Sequence, residues 1–94
     1  MMYYKVREPI LYTGLERESV LLNLESGGYF SVNSVGDRVL SILMKRPSTV
    51  EELTYEITLE YAISRESAER DIQGFVQDLV EQGLLETVDG RDGS

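Results

Sequence analysis

Asp71 and Asp78 are the closest this sequence comes to a pair of acid–base carboxylates, standing seven positions apart in a stretch with helical periodicity. Seven residues is about two helical turns, so both would leave the same side of a helix. That side reads as solvated, and a soluble acidic surface accounts for the pair better than catalysis does. The chain has no histidine, the usual general base at neutral pH. It has no cysteine, which excludes thiolate nucleophiles, disulfides and thiolate metal sites. No phosphate-cradling glycine loop, metal-ligand spacing or nucleophile elbow is present, and Gly27-Gly28 reads as a turn. The expectation is a protein with no catalytic residue, metal or cofactor. Its work would be binding.

The elements that position the remaining candidates follow from the change of period along the chain. Pro9-Ile10-Leu11-Tyr12, Ser19 to Leu24 and Tyr29-Phe30-Ser31-Val32 read as strands, the second with Val20, Leu22 and Leu24 on one face. Glu25-Ser26-Gly27-Gly28 is a hairpin signal. From Asn33 the period becomes helical, with Val35, Val39, Leu40, Ile42 and Leu43 as the first stripe and Asn33 or Ser34 as cap. Ser48–Glu51 and Thr49–Glu52 both stand in capping-box relation ahead of a second helix through Leu53, Ile57 and Tyr61. A third begins at Ser64, follows Ala68, Ile72, Phe75, Val76, Leu79 and Val80, and stops at Gly83. Leu84 to Val88 is a last strand or an extended tail. The expected fold class is α+β: a three-stranded antiparallel sheet followed by three helices, resembling a winged helix-turn-helix. Residues 1–88 would form one domain and 89–94 a flexible tail.

Charge decides among the uses of such a fold. Residues 1–49 carry five acids and six bases, whereas residues 50–94 carry twelve acids and three bases. A DNA-reading third helix needs cations outward, but this one offers Glu66, Glu69, Asp71, Asp78 and Glu81 against Arg65 and Arg70. Nucleic acid is therefore not the expected partner. No apolar run suits a signal peptide or a membrane span, so the expected setting is cytoplasmic.

The remaining reading makes the sheet edge the working part. An unpaired edge strand accepts an extended peptide as an added strand. Tyr29 to Val32 leads straight into the first helix, and the third helix can supply the opposite wall. On that helix Phe75 borders Asp71 and Asp78, a combination suited to an apolar anchor next to a basic residue. Gly74, costing about 1 kcal/mol in a helix relative to alanine, either permits close helix packing or leaves room for a bound chain.

The run from Leu21 through Gly27-Gly28-Tyr29-Phe30-Ser31-Val32-Asn33-Ser34-Val35-Gly36 resembles the signature of the pyrroloquinoline-quinone biosynthesis protein D (PqqD) family. Thr49 to Leu53, Glu60-Tyr61 and Ala68 to Ile72 through Phe75 and Leu79 to Leu85 resemble its second half, so the likeness spans roughly residues 10–86. The resemblance implies a RiPP recognition element, a winged-helix-like domain that binds the leader of a ribosomally made, post-translationally modified peptide. It implies that the leader pairs with Tyr29, Phe30, Ser31 and Val32. The other wall would be Arg70, Asp71, Gly74, Phe75, Asp78 and Leu79. The version here is most similar to the lasso-peptide type, whose leaders carry Tyr-x-x-Pro. That type delivers its precursor to a transglutaminase-like leader peptidase and a macrolactam synthetase. The alternative is a peptide chaperone of pyrroloquinoline quinone assembly beside a radical S-adenosylmethionine enzyme.

Overall fold

A computed structural model describes residues 1–7, 10–14, 19–25 and 27–89. Element order is β1 (Met2–Val6), β2 (Ile10–Gly14), β3 (Ser19–Asn23), β4 (Tyr29–Val32), α1 (Ser34–Lys45), α2 (Val50–Glu60), α3 (Arg65–Glu81) and β5 (Leu85–Asp89). The class is α+β, with three helices and two small antiparallel sheets among the described residues. One sheet has the order β2-β3-β4, and the other pairs β1 with β5. The single sheet expected from sequence is therefore incomplete. Met2–Val6 was not anticipated as a strand, because its partner lies at the far end of the chain, with Tyr4 opposite Thr87. Asp89, the first residue of the expected tail, is the last residue of β5; residues 90–94 lie outside the described part.

Each helix starts on local chemistry. Asn33 Oδ1 accepts from the Gly36 N–H at 2.9 Å and caps α1. Thr49, not Ser48, caps α2: its hydroxyl accepts from the Glu52 N–H at 3.1 Å, and Glu52 Oε1 accepts from the Thr49 N–H at 3.0 Å. Ser48 has another use. Its backbone exchanges hydrogen bonds with Tyr4 at 2.8 and 3.0 Å, stapling β1 beside the α1–α2 connection. Ser64 caps α3 through the Ser67 N–H at 3.2 Å, and Gly83 ends it with φ 76°.

The three helical stripes meet in one core. Val39, Leu40, Ile42 and Leu43 of α1, Leu53 and Ile57 of α2, and Ala68, Ile72, Val76 and Leu79 of α3 are all buried, closed by Leu21, Val32, Leu84 and Leu85. The face of β3 is the reverse of the expected one. Leu21 is 0% exposed and stands opposite Phe30, whereas Leu24 is 56% exposed. Three consecutive apolar residues, Val20-Leu21-Leu22, leave the phase of a strand ambiguous, and a slip of one inverts every side chain.

Candidate functional site

The β3–β4 hairpin sets which backbone groups are free. Asn23 N–H donates to the Gly28 carbonyl and Gly27 N–H to the Asn23 carbonyl, both at 2.8 Å. Asn23 Oδ1 also accepts from the Glu25 N–H at 2.9 Å, and Gly27 takes the left-handed φ of 79° that a side chain would resist. Bonded pairs alternate along an antiparallel ladder. With Leu22 opposite Tyr29 and Leu21 opposite Phe30, the backbone groups of Phe30 and Val32 face β3. Those of Tyr29 and Ser31 face the open edge. β4 is an outer strand of its sheet, so that edge has no partner strand among the described residues. Phe30 and Val32 turn their side chains inward; Tyr29, 74% exposed, and Ser31 turn theirs to solvent.

A cleft of about 240 Å³ opens where β4 runs into α1. Asn33, Val35, Gly36 and Val39 form one wall; Ala68, Asp71, Ile72 and Phe75 of α3 form the other; Ile57 and Ile63 complete the lining. It is mostly apolar, with the Asp71 carboxylate as its charged group. A cavity of about 150 Å³ accepts a benzene ring, so this cleft has room for one ring and a small neighbour. Phe75 meets Phe30 edge to face, with ring centroids 6.3 Å apart, and so links strand to helix.

Gly36 makes that contact possible. A Cβ there would stand 3.0 Å from Phe75 Cζ and 3.2 Å from both Phe75 Cε1 and Val32 Cβ. Gly36→Ala should therefore displace the Phe75 ring and weaken peptide binding, despite alanine's better helix propensity of about 1 kcal/mol. Leader titration with the variant checks this; unchanged affinity would mean that the ring position does not matter.

Polar ties also join α1 and its first residue to the end of α2. Arg38 Nε donates to Glu60 at 2.6 Å, which holds the guanidinium pKa above its usual value. The Tyr61 hydroxyl donates to the Ser34 carbonyl at 3.4 Å.

Of the site residues expected from sequence, Asp71 and Phe75 line the cleft, Phe30 touches the Phe75 ring from β4, and Val32, 4% exposed, belongs to the core and does not line it. Tyr29 and Ser31 supply the free edge. Arg70, Gly74 and Asp78 lie on the exposed surface of α3, outside the cleft lining. Leu79 is a correction: at 0% exposure it is core and offers no surface to a ligand. For Gly74 only the close-packing alternative is set aside, because a Cβ there would meet nothing within 4 Å and packing within the chain does not require the glycine. Gly74→Ala should stabilise the free protein by about 0.5–1 kcal/mol, raising Tm by roughly 4–8 °C per kcal/mol. A thermal melt reads this directly, and a lowered Tm would contradict it. Asn33, Val35, Gly36, Ile57 and Ile63 were not expected as cleft residues, although the Asn-x-x-Gly step was visible.

An open strand edge beside an apolar, acid-rimmed cleft defines a small α+β module of the peptide-binding kind. The chain belongs to the PqqD family: the family model described as coenzyme PQQ synthesis protein D matches residues 18–85. Two solved structures are similar throughout. One is TbiB1 in complex with the TbiA(beta) leader peptide, 34% identical over 87% of this chain and 94% of that one, with a TM-score of 0.79. The other is a lasso peptide synthetase B1 complexed with the leader peptide, 28% identical over 88% of this chain and 96% of that one, with a TM-score of 0.78. Comparison with curated proteins gives no match. No helix among the described residues is long and apolar enough to cross a membrane.

Proposed function

We propose that this protein is a non-catalytic RiPP recognition element that binds the leader of a lasso-type precursor and delivers it to processing enzymes. The observation that carries the reading is the free β4 edge, Tyr29 and Ser31, running into the cleft walled by Phe75 and Asp71. Support comes from the two similar structures, both complexes with leader peptides. The leader would add as a strand against β4 and drop an apolar side chain beside Phe75, with a basic neighbour near Asp71. The backbone groups of Tyr29 and Ser31 contribute about 0.5–1.5 kcal/mol per hydrogen bond. Burying a ring adds about 1.5–3 kcal/mol. A leader affinity in the micromolar range, about −8 kcal/mol, is the expected result.

Tethering then replaces chemistry. A held leader raises the effective concentration of the attached core peptide at a leader peptidase or a macrolactam synthetase. The winged helix-turn-helix-like order of the helices serves this scaffold and not DNA, since α3 turns Glu66, Asp71, Asp78 and Glu81 to solvent.

Isothermal titration with a synthetic Tyr-x-x-Pro leader, against a control with both residues replaced by alanine, tests the function. Micromolar binding lost in the control supports it. Binding only to a pyrroloquinoline-quinone precursor peptide moves the protein to that route, and binding to neither rejects leader recognition. Charge reversal sharpens the map. Asp71→Lys should lower affinity for a leader with a basic residue by about three- to tenfold at low salt. Asp78→Lys, outside the cleft lining, should do less, and titrations across ionic strength would separate the two. Equal losses would place the basic residue further along α3.

A further inference from the structure

A second groove lies at the other end of α1. It is about 270 Å³ in volume and is formed by the end of β1, the last turn of α1 and Pro47. Lys5, Arg7, Lys45 and Arg46 line it, four of the nine basic residues in a chain whose net charge is −8. No carboxylate is in the lining. Glu86 stands opposite Lys5 in the β1–β5 ladder but forms no ion pair with it. None of the four cations is in an ion pair with a described residue. Like charges lining one groove repel one another, and an anionic ligand would relieve that repulsion. The groove also has an apolar part. Val6, Leu43 and Pro47 line it, and Met44 is 48% exposed beside the cations.

We infer that this groove docks an acidic segment of a partner protein, carrying at least one apolar side chain among its carboxylates. The cations give charge complementarity and a fast encounter; Met44 and its neighbours take the apolar anchor. A nucleic acid fits less well. Its phosphates would meet the four cations but also the field of the acidic second half of the chain, twelve acids against three bases. Place matters too. The peptide cleft uses Val35 and Gly36 at the start of α1, and the basic groove uses Met44 and Lys45 at its end. α1 has 12 residues, about 18 Å of helix, so both sites can be filled at once. The inference needs no leader to be correct.

The test is fluorescence anisotropy with a labelled synthetic peptide of Glu-Glu-Leu repeats, a Lys-Lys-Leu peptide of equal length and a short oligothymidylate. The full chain and the double variant K45E/R46E are compared at low and high salt. Both replaced side chains are exposed, so the variant should melt like the parent and bind leader equally. Binding of the acidic peptide, weakened about tenfold or more by the variant and by salt, supports the inference. Failure of the parent to bind it, or equal binding by the variant, overturns it. Tighter binding of the oligonucleotide also overturns it, in favour of nucleic acid. Sedimentation velocity showing a dimer that the same variant dissolves overturns it in favour of a second copy of this chain.

Discussion

Ser31→Pro should abolish leader binding while leaving the domain folded. Proline removes one N–H and is tolerated only where that N–H faces away from the ladder. By the alternation counted from Asn23 and Gly28, the Ser31 N–H points to the open edge. The free protein loses no internal hydrogen bond, whereas an added strand leaves a carbonyl unsatisfied at about 1–3 kcal/mol and meets the ring sterically. A loss of affinity of about 100-fold or more is expected by titration, with a Tm change of a few degrees. Phe30→Pro is the companion experiment, because its N–H faces β3 and its loss should unfold the sheet. Undiminished leader affinity in Ser31→Pro would sink strand addition at β4. Greater destabilisation by Ser31→Pro than by Phe30→Pro would instead show the ladder phase to be inverted.

Phe75→Ala is expected to weaken leader binding by about 10- to 100-fold. The ring lines the cleft, touches Phe30 and overlies Gly36, yet it is only half-buried. Partial burial limits its share of stability. Fully buried phenylalanines lose about 3–5 kcal/mol on truncation, and about half that is expected here. Circular dichroism and titration on the same sample separate the two effects. Collapse of the far-ultraviolet spectrum would make Phe75 a core residue first, and full affinity would remove it from the site. Phe75→Leu, which keeps most of the volume, should restore much of the stability and less of the binding.

The parts of the fold legible in the sequence were those written in local chemistry. Asn33, Thr49 and Ser64 each cap a helix through a side chain bonded within the next three residues, so short motifs sufficed. The stripes of α1 and α3 could be read because one face of each is apolar. β1 could not, since Met2–Val6 is held by β5 and Ser48, contacts that no local pattern records. The strand phase at Leu21 was lost for want of a polar residue to mark it. At the site, Phe75 and Asp71 stood out as an aromatic beside an acid at the margin of a stripe. Leu79 shares that stripe but lies nearer its centre, and burial claims it. Gly36, Val35 and Ile57 look like cap or core in sequence. They reach the cleft only because Gly36 lets α1 approach Phe75 closely.

The β1–β5 pairing has a consequence for the architecture of larger proteins. It brings the Met1 amino group to within 3.2 Å of Asp89 Oδ1, on exposed side chains at one corner of the domain. Chain entering at residue 1 and leaving at residue 89 does so side by side, so the module can be spliced into a surface loop of a host enzyme through two short joints. Both grooves would keep their shape in such an insertion, and a circular permutant joined there should fold to the same structure.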